Sequence, residues 1–201
     1  MGSGSSLGPE FFVVASQNKF PASASETGAG TGWLLSPGAV TISDDTYASC
    51  LLLGGATSKL LYTSSHAFSI SSHALGVEVL IELLESAASD NILDVSVWLT
   101  TDGSGSQDGD NKANAGEWPT TETVRTYGSP TDTWNLSSLQ PGVINSSSFG
   151  AAIQCTTAAG GEAKIDSISI TVYYTGAEEA DLGVMHGPVI RRQTKKVLVA
   201  F

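Results

Sequence analysis

ILDVSVWLT (92–100) and AKIDSISITVYYT (163–175) are the two stretches that decide the fold of this chain. In both, apolar and polar residues alternate, and this period of two is typical of a β-strand with one buried face. Between them, groups of Gly, Asp, Ser, Asn and Pro recur at short intervals, as turns do in an antiparallel sandwich. The sequence therefore predicts an all-β fold, an antiparallel β-sandwich.

The composition supports one such domain with appended arms. Of the 201 residues, 41% are apolar and only 14% are charged. Residues that favour helices are scarce, whereas Gly, Ser and Thr are abundant. We expect an N-terminal leader and arm over 1–31, the sandwich over 32–175, and an acidic hinge followed by a basic and apolar arm over 176–201.

The charge of the chain excludes one class of partner. The formal net charge is −11, and four of the nine basic residues lie in the last eleven positions. Residues 1–190 therefore carry five basic against twenty acidic residues, a net charge of about −15. Such a body repels phosphate backbones, so we expect no nucleic-acid partner. No apolar run approaches the length of a membrane span, and we expect no membrane insertion.

One segment is ambiguous between strand and helix. In ALGVEVLIELLESAA (74–88), Val77, Val79 and Ile81 alternate with other residues, but the leucines and glutamates also suit a helix. Gly76 and the Val and Ile content favour a strand. The predicted core of the sandwich consists of Leu51, Leu53, Leu60, Phe68, Ile70, Val77, Val79, Ile81, Val95, Val97, Ile153, Ile168, Ile170 and Val172.

The longest irregular stretch, 101–119, contains three closely spaced carboxylates. Asp102, Asp108 and Asp110 lie among glycines, and hard cations prefer several oxygen ligands on a chain that can wrap tightly. Their spacing misses the EF-hand pattern, and Asp-Gly pairs also serve ordinary turns. A calcium site and a solvated turn both remain open, and apart from this calcium we expect no cofactor. The loop is expected at one end of the sandwich.

Aromatic residues offer a second candidate site. Trp118, Tyr127 and Trp134 form either a platform on which a sugar stacks or a cap over the open end of the sandwich. Cys50 and Cys155 lie in apolar, strand-like runs. They are two buried thiols, or a disulfide if their strands face each other.

Catalytic patterns are weak. The sequence contains no G-x-S-x-G elbow, and its histidines lack a matched acid. Glu78 and Glu82 share one strand face, with Asp94 or Asp166 conceivable opposite, as paired-carboxylate hydrolysis would need. Acids on the outer face of a sandwich are routine. We therefore predict a protein that is not an enzyme and has no catalytic residues.

A set of anchor residues distributed over 32–175 resembles a recurring β-sandwich module of tailed-bacteriophage structural proteins. The residues that carry the resemblance are Gly32-Trp33, Asp44, Asp45, Tyr47-Ala48, Leu60, Phe68, Ile70, Gly76, Val79, Val97, Leu99, Trp118, Tyr127-Gly128, Asp132, Trp134, Phe149-Gly150, Ile165-Asp166, Ile168, Ile170, Val172 and Tyr174.

The resemblance implies a jelly-roll-like domain that builds tail, neck or capsid appendages as a homo-oligomer. Its partners would be other virion proteins and copies of itself. It would be located in the virion after assembly in the host cytoplasm. The alternative function is a carbohydrate- or cell-surface-binding module that attaches to a host surface glycan.

The two ends of the chain are the predicted assembly elements. Phe11 and Phe12 lie in a short apolar run, and VMHGPVIRRQTKKVLVAF (184–201) combines a basic middle with an apolar end. Such arms add strands to a partner's sheet. The predicted assembly residues are Phe11, Phe12, Arg191, Arg192, Lys195, Lys196, Leu198 and Phe201.

Overall fold

Two antiparallel sheets packed face to face confirm the predicted all-β sandwich. The computed structural model describes residues 13–34 and 37–176. Its strands are β1 (Val14–Lys19), β2 (Ser23–Thr27), β3 (Ala48–Leu52), β4 (Leu60–Ser64), β5 (Ala74–Glu85), β6 (Ile92–Thr100), β7 (Thr123–Ser129), β8 (Gly150–Thr157) and β9 (Gly161–Thr175). A 3-10 turn (Pro37–Val40) and one short helix, α1 (Pro141–Ile144), complete the described elements.

The strands are wound so that neighbours in the chain lie in different sheets. Sheet A has the order β1-β9-β5-β7, with β3 also paired to β9, and sheet B has the order β2-β4-β8-β6. From β3 to β9, successive strands alternate between the two sheets, which is the winding of a jelly roll. Each sheet contributes one face to the shared core.

Strand β9 pairs with three other strands of sheet A. One edge of it pairs with β3 and then β1, and the other edge pairs with β5 along almost its whole length. The ambiguous segment is thus a strand, and its buried Val77, Val79, Ile81 and Leu83 all point into the core. The strand prediction is confirmed because alternation, rather than leucine content, decides which residues are buried.

Three predicted core residues are wrong. Leu51, Leu53 and Val95 are exposed, with relative accessibilities of 59%, 78% and 37%. In β3 the inward register falls on Ala48, Cys50 and Leu52, one residue away from the predicted one.

Val95 is exposed because of a bulge. Asp94 pairs with Cys155 and Ser96 with Gln154, which leaves Val95 as the extra residue of β6. Beyond the bulge, Val97 returns to the core as predicted.

The sandwich begins earlier than the predicted boundary at residue 32. Strand β1 pairs with β9, and β2 pairs with β4, so residues 14–27 belong to the two sheets rather than to an arm. Among the described residues, no helix is long and apolar enough to cross a membrane.

The long loop 101–119 lies along an edge of the sandwich and not at its end. Its backbone N–H groups at Asp108, Lys112 and Trp118 donate to carbonyl oxygens of β6 at 2.7–2.9 Å. The loop therefore follows β6 and covers the edge that a further strand would otherwise occupy. The indole of Trp98, on the outer face of β6, donates to the Gly105 carbonyl at 3.0 Å and holds the loop down.

Candidate functional site

The three loop carboxylates do not converge. Oxygen atoms of Asp102, Asp108 and Asp110 do not all lie within 4.8 Å of one another. The Asp102 carboxylate accepts hydrogen bonds from the hydroxyl and the backbone N–H of Ser104 and from the Thr100 hydroxyl at 2.8 Å. These bonds, above all the one from the Ser104 hydroxyl, hold the pKa of Asp102 below its usual range.

The other two loop carboxylates also have partners of their own. Asp108 accepts from the hydroxyl groups of Thr101 and Ser137, and Asp110 lies 3.4 Å from the amino group of Lys112. The structure thus places the three predicted calcium ligands in separate turn contacts.

The predicted sugar platform is buried. Trp118, Tyr127 and Trp134 have accessibilities of 2%, 4% and 0%, so none presents a ring face to a ligand. The prediction of stacking is wrong because the loops that carry the two tryptophans fold back over the core.

Two of these rings bind one buried carboxylate. The Asp94 side chain is inaccessible to solvent and accepts from the indole of Trp118 at 2.7 Å and the hydroxyl of Tyr127 at 2.8 Å. The Arg125 guanidinium lies 3.7 Å away. Asp94 belongs to sheet B and Tyr127 to sheet A, so the network joins the two sheets at one edge.

Trp134 is not part of the Asp94 network and contacts β5 instead. Its indole donates to the Val77 carbonyl at 2.7 Å, and the Lys112 amino group lies 5.7 Å from its ring centroid. Lys112 also forms an ion pair with Asp132 at 3.0 Å. The ring therefore anchors the loop after β7 to β5.

The predicted assembly residues at the chain ends lie outside the described residues. This holds for Phe11, Phe12, Arg191, Arg192, Lys195, Lys196, Leu198 and Phe201. What the structure describes near the N-terminal end is β1, an edge strand of sheet A that begins with the exposed Val14.

An exposed apolar surface lies next to β3. Leu34 pairs with Ser49 in an isolated bridge, and Leu51 and Leu53 follow Ser49 on the same face at a spacing of two. Leu34, Leu51 and Leu53 have accessibilities of 57%, 59% and 78%. We call these three residues the β3 leucine surface. The sequence pattern does not reveal this surface, because it predicts Leu51 and Leu53 in the core.

A cluster of three acids lies on the outer face of sheet A. Carboxylate oxygens of Glu82, Glu122 and Asp166 all lie within 4.8 Å of one another. Burial, followed by the hydrogen bond with Glu82 and the charge of Glu122, raises the pKa of Asp166 to about 6. Glu82 and Asp166 are among the acids that the sequence suggests for hydrolysis. Glu122 is not among them, because only the pairing of β7 with β5 brings it to the other two.

The two cysteines are free thiols, both fully buried. Burial raises the pKa of Cys50 to about 11 and also raises the pKa of Cys155. Of the two alternatives left open by the sequence, the structure contains the buried thiols.

Comparison with known proteins gives only weak structural similarity. No family model matches the chain, and no curated protein matches it. Among solved structures, an arabinose-bound MgGH51 α-L-arabinofuranosidase superposes with a TM-score of 0.43 and 10% sequence identity. The match covers 65% of this chain and 21% of the arabinofuranosidase chain.

Proposed function

We propose that this protein is a non-enzymatic structural subunit of a tailed-bacteriophage particle, a homo-oligomeric tail or neck appendage or a capsid decoration. The observation that carries the proposal is the β3 leucine surface, in which Leu34, Leu51 and Leu53 are each more than half exposed on one sheet face. The resemblance of the anchor residues to a bacteriophage β-sandwich module is the reason for placing this subunit in a virion.

Burial of these leucines in an interface is the physical advantage of assembly. Moving one leucine side chain completely out of water is worth about 1.5–3 kcal/mol. Clusters of exposed apolar residues on a sheet face are typical of interaction sites, whereas single exposed leucines are common everywhere. The three together therefore favour a partner that covers them.

A neighbouring copy of the same chain fits this surface. The described residues include sixteen acidic and five basic side chains, whereas four basic residues are concentrated between Arg191 and Lys196. The apolar run 197–201 follows them directly. One chain thus supplies both an acidic body with exposed leucines and a basic, apolar segment that complements such a body.

The arrangement of the aromatic side chains does not favour the carbohydrate-binding alternative. Trp118, Tyr127 and Trp134 contribute to the core, and their polar atoms bind Asp94 or the backbone. The three rings selected from the sequence therefore give no support to glycan stacking.

The first experiment measures the oligomeric state of the full chain by analytical ultracentrifugation. We expect a defined oligomer. The double variant Leu51→Ser/Leu53→Ser should have a dissociation constant at least tenfold higher, because a loss of about 1.4 kcal/mol of association free energy corresponds to a factor of ten. Val124→Ser, at a residue 49% exposed on β7, is the matched control and should assemble normally. A monomeric wild-type chain would contradict the proposal.

The second experiment tests the virion context. Particles from a phage lysate are purified on a density gradient, and an antibody against the chain is used to follow it. We expect the chain to sediment with the particles and to label one part of them in electron micrographs. A chain that remains in the soluble fractions and binds instead to a glycan array would support the surface-binding alternative.

A further inference from the structure

We propose that Glu82, Glu122 and Asp166 form a binding site for Ca²⁺ on the outer face of sheet A. The three residues come from different parts of the fold: β5, the segment directly before β7, and β9. Oxygen atoms of all three lie within 4.8 Å of one another. The proposed site is independent of the loop carboxylates predicted from the sequence, and it is independent of the proposed function.

A bulge in β9 creates the site. Glu82 pairs with Ser167 and Leu83 with Ile165, so Asp166 is the extra residue between them. Bulges redirect a side chain that regular alternation would send elsewhere. Asp166 and Ser167 thereby both serve the outer face, where the Ser167 hydroxyl donates to Glu82 at 3.1 Å.

The loop that precedes β3 covers the site. Thr41 forms a bridge with Ser167, and the backbone N–H of Asp44 donates to Asp166 at 3.1 Å. Tyr47 hydrogen-bonds Glu122. These contacts hold two of the three carboxylates in place, as outer-shell partners hold the ligands of a metal ion.

Three carboxylates at this separation require a positive charge or a proton among them. Asp166 is fully buried, and no ion pair within the described ranges joins any of the three to a basic side chain. Like charges held together away from water are costly.

The Glu122 carboxylate supplies a second, separate observation. Its Oε2 atom is excluded from solvent and has no hydrogen-bond partner. An unpartnered buried oxygen costs about 1–3 kcal/mol, and a cation bound to it removes that cost. Glu122 is one of the three members of the cluster, so an ion held among their carboxylates lies next to this unpartnered group.

The chemistry of the ligands selects the ion. All three side chains offer oxygen, which hard cations prefer, and none offers the nitrogen or sulfur typical of zinc sites. Calcium lies about 2.3–2.6 Å from each oxygen ligand, so ligands on opposite sides of it are up to about 5 Å apart. The limit of 4.8 Å between oxygens in this cluster lies within that range.

The test uses the full chain after dialysis against a chelator, at neutral pH. Calorimetric titration with Ca²⁺ should give one site per chain, and Ca²⁺ should raise the melting temperature. Tb³⁺, a luminescent substitute for Ca²⁺, should show emission sensitised by Tyr47. Glu122→Gln and Asp166→Asn should each weaken binding by at least about tenfold, since even the loss of an outer-shell partner costs a metal site roughly 10–100-fold.

Glu78→Gln is the matched control. Glu78 lies in β5 on the same face as Glu82 and accepts a hydrogen bond from the Tyr173 hydroxyl at 2.8 Å, but it is not a member of the cluster. It should bind Ca²⁺ like the wild type. The proposal would be overturned by a folded wild-type chain that does not bind Ca²⁺, by binding that survives in both cluster variants, or by a preference for Mg²⁺.

Discussion

The hydroxyl of Tyr127 on β7 donates a 2.8 Å hydrogen bond to the carboxylate of Asp94 on β6, and this contact links the two sheets. Both side chains are buried. Asp94 also accepts from the Trp118 indole, so the same carboxylate holds the end of the long loop. The edge of the sandwich is therefore closed by a charge-assisted network instead of by a further strand.

Removal of the Tyr127 hydroxyl should destabilise the protein markedly. Tyr127→Phe deletes a hydrogen bond to a buried charged acceptor, and such bonds contribute about 1.5–3 kcal/mol. Urea unfolding should show this loss as a lower midpoint. Tyr173→Phe is the control, because Tyr173 donates to Glu78 at the same 2.8 Å on the partly accessible outer face. Equal losses in the two variants would show that burial of the network adds nothing.

Gly128 should tolerate no side chain. A Cβ atom there would lie 2.3 Å from the Val77 carbonyl oxygen and 2.5 Å from the Trp134 indole nitrogen, and its φ is +85°. Gly55 has a similar φ of +79° with nothing within 4 Å. Both Ala variants bear the backbone strain, but only Gly128→Ala also meets a clash.

The two glycines therefore separate strain from overpacking. We expect Gly128→Ala to be less stable than Gly55→Ala by about 1–3 kcal/mol or more in chemical denaturation, since overpacking costs that amount. If the two variants unfold at the same denaturant concentration, the Trp134 indole does not pack against Gly128 as described.

The success and failure of prediction from the sequence both trace to alternation. The run 92–100 was predicted as a strand and is β6, since its pattern is local. The same alternation placed Val95 with Val97 on one face, and the bulge after Asp94 separates them. A bulge depends on the partner strand, so the sequence of β6 alone does not contain it.

The carboxylate cluster was only partly predictable for a similar reason. In β9 the adjacent polar pair Asp166-Ser167 interrupts an otherwise regular alternation, which is a local sign of a bulge. Glu122 has no such sign. It reaches Glu82 because Val124, two residues later, pairs with Glu82 across the sheet, and strand pairing over such a separation is set by the whole fold.

The two thiols should be inert in the folded protein. Cys50 and Cys155 are fully buried, and burial raises the pKa of Cys50 to about 11. Because the thiolate is the reactive form, Ellman's reagent at mildly alkaline pH should label neither cysteine. Both should react in denaturant. As a positive control, the variant Leu53→Cys introduces a thiol at a residue that is 78% exposed, and this thiol should react rapidly in the folded protein. Failure to label two thiols in denaturant would show a disulfide.

Stability should fall in mild acid because of His66. Its ring is buried, with Nε2 3.0 Å from the Thr63 hydroxyl and Nδ1 3.1 Å from the Lys19 carbonyl oxygen. Burial lowers the pKa of His66 to about 4. The unfolded chain takes up this proton near pH 6.5, so the contribution of His66 is complete above that pH and declines by about 3 kcal/mol as pH falls towards 4. Asp166, with a pKa of about 6, acts in the opposite direction, so stability is compared between variants at each pH. In His66→Gln the free energy of unfolding should fall less between pH 6.5 and 4 than in the wild type. The control His73→Gln, at an exposed histidine, should show the same fall as the wild type. Parallel pH profiles of wild type and His66→Gln would contradict this assignment.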